Sequence, residues 1–116
     1  MKIASFNVKG LSDPSKFRLL WSWLLTLDLD IVCLQEHKLH QNAGSIQYCK
    51  GYSLIYGGKS GEYSGSLTVV KSILNPVVVF NHESGRGLAV SVQSSFGLLT
   101  ICNIYGSNQS SIRANL

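Results

Sequence analysis

Ser5-Phe6-Asn7-Val8-Lys9-Gly10-Leu11 and, further along, Ile31-Val32-Cys33-Leu34-Gln35-Glu36-His37-Lys38 are the two stretches whose reading decides the fold. Each is an apolar, β-branched strand that ends in polar residues, so each delivers a reactive side chain at its C-terminal tip. Asn7 and Glu36 are those side chains. One helical pattern lies between them, which makes a βαβ unit with both C-terminal tips at one edge of the sheet. In open α/β sheets ligands bind at that edge.

The helix is announced by Ser12-Asp13-Pro14, a capping residue followed by proline in the first turn. Phe17, Leu20, Trp21, Leu24 and Leu25 then recur at helical spacing and form a stripe to lay on a sheet. Trp21 and Trp23 fall on different faces and both read as packing residues. The helix gives out near Asp28-Leu29-Asp30, whose aspartates read as turn and cap chemistry.

Downstream of the polar loop His40–Ser45, strands are expected over Tyr52–Tyr56, Ser66–Val70, Val77–Phe80, Leu88–Val92 and Leu98–Tyr105. They follow one another at hairpin spacing, with glycine and polar residues between them. Gly58-Lys59-Ser60 matches the end of a phosphate-binding loop, but Ser53 stands where that motif requires glycine and the residues downstream alternate like a strand. A hairpin connection is the better reading. The expected architecture is one mixed, mostly antiparallel sheet with one main helix. A sheet of about six strands with apolar residues on both faces needs cover on both, and a single helix covers one.

The chain of 116 residues bounds a single domain, and 45% apolar against 14% charged residues excludes a disordered chain. Its net charge of +4 comes from lysines and arginines spread without a run, which is compatible with a nucleic-acid partner without requiring one. Cys33, Cys49 and Cys102 are odd in number and far apart, so neither a zinc site nor a disulfide framework is indicated. Two of them lie in strand-like runs and read as buried hydrophobes, in keeping with a reducing compartment. No apolar leader precedes the first strand, and no apolar run reaches the ~20 residues of a spanning helix. A soluble intracellular protein, nuclear or cytoplasmic, is expected, with the sequon Asn108-Gln109-Ser110 a chance match.

These residues resemble the endonuclease/exonuclease/phosphatase superfamily, which includes exonuclease III, apurinic endonucleases and the endonuclease domains of non-LTR retrotransposons. The first family block is matched by Ser5 to Leu11, and the second by Asp30-Ile31-Val32-Cys33-Leu34-Gln35-Glu36-His37-Lys38. Ser64-Gly65-Ser66-Leu67-Thr68-Val69-Val70, Gly85-Arg86-Gly87-Leu88 and Cys102-Asn103-Ile104-Tyr105 look like three later blocks in the family's order. The first two blocks and the Asn-x-Tyr ending look most like plant retrotransposon endonucleases.

The resemblance implies a magnesium-dependent (or manganese-dependent) phosphodiesterase that hydrolyses nucleic acid, DNA in the complete domain. It implies that Glu36 holds the metal, that Asn7 orients the site through hydrogen bonds and that the Tyr105 hydroxyl reaches the scissile phosphate. Lys38 resembles a family lysine near the metal. A hard cation that keeps several waters and bridges to phosphate suits a carboxylate at Glu36. Without the resemblance, Glu36 also reads as a strand-end carboxylate in solvent, Asn7 as a loop cap, Tyr105 as a core tyrosine with a wet tip and Lys38 as a solvated loop lysine.

Departures are equally informative. Lys9 stands where relatives are often polar or acidic, and a cation there opposes a second metal. Ser107 replaces a proline expected beyond the tyrosine. The family's Asp-x-Asn block and its Asp-His pair have no counterpart, because Asp13, Asp28 and Asp30 all precede Glu36 and His37, His40 and His82 all precede Tyr105. The expected fold is therefore the N-terminal half of a four-layer α/β sandwich, residues 1–116 forming a partial domain truncated at its C-terminus. Its second sheet is expected beyond Leu116, its metal site half formed, and the chain alone inactive and poorly soluble. A phosphatase of inositol-phosphate or sphingolipid type, and a non-catalytic nucleic-acid-binding or interaction remnant, are the alternatives.

Overall fold

A computed structural model describes residues 1–11, 13–37, 46–58, 65–104 and 106. Strand β1 (Ile3–Asn7) leads into helix α1 (Pro14–Thr26) and strand β2 (Ile31–Gln35). Strands β3 (Ile46–Cys49), β4 (Tyr52–Tyr56) and β5 (Ser66–Lys71) follow, then a 3-10 turn (Ser72–Leu74). Strands β6 (Val77–Asn81), β7 (Gly87–Ser94) and β8 (Gly97–Ile104) complete the order.

The βαβ unit forms as its sequence dictates. The Asp13 carboxylate accepts the Ser15 N–H at 2.9 Å and Pro14 occupies the first turn of α1. β1 and β2 pair in parallel with Asn7 opposite Gln35. Trp21 packs edge-on to Tyr52 and Trp23 edge-on to Phe6, so both indoles serve packing, although Trp23 stays half exposed. At the opposite end of the sheet Asp30 accepts the Lys2 N–H at 2.7 Å and faces the Lys71 ammonium, which also meets Asp28 at 2.9 Å. These aspartates thus close the turn into β2, and the Lys2 N–H holds the Asp30 carboxyl below its ordinary value.

Among the described residues two sheets are formed rather than one. The first runs β1-β2-β5-β4-β3, antiparallel except for the β1–β2 pair, and the second is the antiparallel ladder β6-β7-β8. The α/β class and the single main helix stand, but the expectation of one sheet with its second sheet beyond Leu116 is corrected. Both hydrogen-bonding edges of β5 are taken, by β2 and by β4, so β6 has no edge beside it to join. Asn75, at φ 49°, and Pro76 instead turn the chain out of the first sheet and back across its open face.

That arrangement covers the first sheet on both sides. Val32, Leu34, Leu54, Leu67 and Val69 pack with Leu24, Phe17, Leu20 and Trp21 of α1. Ile31, Cys33, Ile55 and Val70 pack on the other face with Leu88, Val90 and Val92 of β7, joined by Leu99 and Ile101 of β8. Every residue of β2 is buried, which is why its sequence reads as a continuous apolar run rather than an alternation.

Strand β3 has no clear signal in the sequence. It pairs with β4 through the two-residue turn Lys50-Gly51, whose φ values of 50° and 84° belong to a hairpin turn that ordinarily takes Asn-Gly. Uncovered apolar surface lies on the outside of the second sheet, where Val77, Val79, Phe80, Leu98 and Ile104 are each more than half exposed. Cys102 belongs to that outer face and is exposed, contrary to its reading as buried. Cys33 is buried between the sheets, and desolvation pushes its thiol up to about 11.

Candidate active site

The tips of β1 and β2 stay joined beyond the regular ladder. Val8 N donates to Gln35 O at 3.1 Å, Gly10 N to Glu36 O at 2.6 Å and Leu11 N to His37 O at 2.7 Å. Two left-handed turns make this possible, one at Lys9-Gly10 (φ 52° and 96°) and one at Glu36 (φ 57°). The Asn7 side chain closes the first turn by accepting the Lys9 N–H at 3.0 Å. Lys16 of α1 donates to Val8 O at 2.7 Å and ties the helix to the same tip.

Glu36 is held on its other side as well. The next amide, His37 N, donates to Gly65 O at 3.4 Å, so the Glu36 backbone is gripped by β1 and by the lead into β5. Glu36 is half-buried and Asn7 is exposed. Asn7 and Glu36 are thus brought to adjacent tips, as their places in the sequence require.

His37 is 2% exposed and meets the Tyr56 ring edge-on at 5.6 Å. Burial pushes its pKa down to about 4, so the ring is neutral at physiological pH and adds no charge beside Glu36. Gly65 allows this close packing, since a Cβ there would sit 3.0 Å from His37 Nε2 and 2.9 Å from Gly57 O.

Beneath the tips lies a polar group of residues to which the sequence reading assigned no role. Gln35 Nε2 donates to Ser5 Oγ at 3.0 Å, to Cys33 O at 3.2 Å and to Asn103 Oδ1 at 2.9 Å. Asn103 Nδ2 is within 3.1 Å of Leu34 O, 3.3 Å of Leu67 O and 3.2 Å of Thr68 Oγ1. Ser5 and, by strand alternation, Asn7 lie on this same side of β1. The available signal was an amide where the inward residues of β8, Leu99 and Ile101, are hydrocarbon.

Other loops reach the same edge. Gly57 N bonds Ser66 O at 2.8 Å and extends the β4–β5 ladder, whereas Lys59 and Ser60 of the connection lie outside the described residues. The β6–β7 connection carries His82, whose Nδ1 lies 2.8 Å from Ser84 Oγ. Tyr105 and Lys38 lie outside the described residues.

The sequence pattern of the Endonuclease/Exonuclease/phosphatase family matches residues 4–112. This chain belongs to that family. Among solved structures it is similar to the AP endonuclease LMAP from Leishmania major, with a TM-score of 0.66 and 21% sequence identity. The similarity covers 90% of this chain and 39% of that one, and at this identity it is a likeness of fold. The chain thus spans well under half the length of that endonuclease. It has the α/β architecture of an Endonuclease/Exonuclease/phosphatase protein's N-terminal half, with α1 on one side of the first sheet and β6 to β8 on the other.

Within this family frame the donor chemistry at the β1 and β2 tips suits a hard divalent cation. Glu36 offers carboxylate oxygens, the material of a magnesium site completed mainly by water. Asn7 is neutral and already shaped by the Lys9 N–H. Among the described residues no group of three or more His, Cys, Asp or Glu side chains comes together to hold a metal. Among the same residues no helix is long and apolar enough to cross a membrane.

Proposed function

We propose that this chain is the N-terminal part of a magnesium-dependent phosphodiesterase that cleaves nucleic acid. The observation that carries the reading is the side-by-side placement of Asn7 and Glu36 on two strand tips joined by the Gly10–Glu36 backbone bond. Membership of the family and the fold shared with an AP endonuclease support it.

In this reading the carboxylate of Glu36, whose backbone is held in a left-handed turn, would hold a magnesium or manganese ion. When bound, that ion neutralises charge on a substrate phosphate. Asn7 orients the site as a neutral hydrogen-bonding amide, which suits a position beside a carboxylate. Tyr105 carries the hydroxyl that contacts the phosphate, and Lys38 is a lysine near the metal site. His37 stays uncharged and excludes water behind Glu36. The residues that activate the attacking water and stabilise the transition state belong to the Asp-x-Asn and Asp-His blocks, which this sequence lacks, so we assign the chain half of a site and no activity alone.

The test uses manganese as a paramagnetic probe. In 15N spectra of the purified chain, manganese is expected to broaden the Gly10 and His37 amides first, and Glu36→Gln is expected to abolish that broadening. Unchanged broadening in Glu36→Gln would overturn the metal assignment. Supercoiled plasmid incubated with magnesium and the chain is expected to remain intact. Nicking that needs both magnesium and Glu36 would show that these residues suffice and would overturn the half-site reading.

A further inference from the structure

The inward side of β8 changes character at one position. Leu99 and Ile101 pack as hydrocarbons in the core between the sheets, whereas Asn103, next in the same row, is an amide only 1% exposed. A leucine there would meet the packing need. Instead the Asn103 amide bonds three parts of the first sheet, and each contact falls at or next to the last residues of β2 before Glu36. Its two N–H groups are shared among Leu34 O, Leu67 O and Thr68 Oγ1, and its oxygen takes the Gln35 amide. Leu34 and Leu67 face each other across the β2–β5 ladder, so one side chain spans both strands at that rung.

Such bonds are directional where hydrocarbon packing is not. Gln35 immediately precedes the left-handed turn at Glu36, and its side chain, 8% exposed, extends the same group to Ser5 of β1. The two strands that carry Asn7 and Glu36 are thereby referenced to a single amide on β8. Tyr105 follows two residues later in the sequence.

We infer that Asn103 is a positioning residue which, through Gln35 and the carbonyls of Leu34 and Leu67, sets the placement of the Glu36 carboxylate and so its affinity for a divalent cation. This rests on the assignment of Glu36 as the metal carboxylate. Partners that orient a metal ligand are worth about 10- to 100-fold in affinity when removed. Replacing both Gln35 and Asn103 by apolar groups of similar shape leaves neither amide orphaned, and the cost to the fold is then that of the outer partners Ser5 and Thr68. Stability and metal affinity therefore separate a positioning role from a purely structural one.

The experiment titrates manganese into the wild-type chain, Glu36→Gln, the double variant Gln35→Leu/Asn103→Leu and the single variant Asn103→Thr. Amide broadening at Gly10 and His37 reports affinity, and urea unfolding reports stability. The double variant is expected to stay folded, with a urea midpoint lowered by the partners that Thr68 and Ser5 lose, yet to need about tenfold more manganese for equal broadening. Threonine is too short to reach Gln35, so Asn103→Thr is expected to lose affinity severalfold while folded. Wild-type affinity in either folded variant would overturn the inference and leave the amides as a tie between sheets. If broadening is absent from the wild type, or persists in Glu36→Gln, the assignment of Glu36 fails and the inference falls with it.

Discussion

Asn81, at the end of β6, grips the backbone of Gly58 with both ends of its amide. Its Oδ1 accepts the Gly58 N–H at 2.8 Å and its Nδ2 donates to Gly58 O at 3.1 Å. The contact joins the end of the second sheet's first strand to the loop leaving β4, so it locks the two sheets together at the edge that carries Glu36. Asn81→Ala removes both bonds and leaves the Gly58 groups part-buried. A loss of about 1–3 kcal/mol is expected from this desolvation, measured as a lower urea midpoint with an unchanged slope. Asn81→Asp restores one of the two bonds and is expected to recover part of the loss.

A second prediction concerns pH. The His37 pKa is near 4 in the folded chain because burial penalises the charged ring, against an ordinary 6.5. As pH falls through 6.5 the unfolded chain binds a proton that the folded chain refuses, so stability declines between about pH 6.5 and pH 4. Below that window the group titrates in both states and its effect levels off. At 1.36 kcal/mol per pKa unit the decline amounts to roughly 3 kcal/mol. Asp30 acts lower still: the Lys2 N–H holds its pKa below 3.8, so its contribution is lost only as pH falls below that value. Urea midpoints from pH 4 to 7.5 are expected to fall in the wild type and to be flatter in His37→Gln. An equal slope in both would show that another group governs the acid response.

Cysteine chemistry offers a third check on how β8 is placed. Cys33 is buried between the sheets, with its thiol pushed up to about 11, whereas Cys102 faces outward on the edge strand. Brief treatment of the native chain with iodoacetamide is expected to alkylate Cys102 and spare Cys33. In urea both are expected to react. Native modification of Cys33 ahead of Cys102 would mean that β8 presents its opposite face.

Much of the first sheet was legible because local rules and burial agree there. Asp13-Pro14 caps and starts α1, and β2 is continuously apolar because both of its faces are covered. Asn7 and Glu36 were legible for the same reason, since a parallel βαβ unit must bring its strand tips to one edge. The second sheet was not legible. Hairpin spacing among Val77–Asn81, Gly87–Ser94 and Gly97–Ile104 is the same whether the strands extend the first sheet or cover it, and only the saturated edges of β5 decide. β3 was hidden by the turn Lys50-Gly51, in which lysine occupies a left-handed position that usually advertises itself as asparagine. The roles of Gln35 and Asn103 depend on a contact 68 residues apart in sequence, which no local pattern carries.

The outer surface of the second sheet supplies the last prediction. Val77, Val79 and Phe80 of β6 and Leu98 and Ile104 of β8 are exposed, and β8 is an edge strand among the described residues. Its eight residues contain neither a charged side chain nor proline. Native edges usually carry such residues because an open row of backbone groups beside an apolar face templates association. The isolated chain is therefore expected to self-associate as its concentration rises, seen as an increasing weight-average mass in light scattering. Leu98→Lys and Val79→Lys place charge on this face without touching either core, since both residues point away from the first sheet. The pair is expected to suppress association while leaving the urea midpoint within about 0.5 kcal/mol of the wild type. Charge placed instead at Thr26, on the far side of the first sheet, is expected to leave association unchanged. A chain that stays monomeric without either lysine would mean that this face is covered in solution.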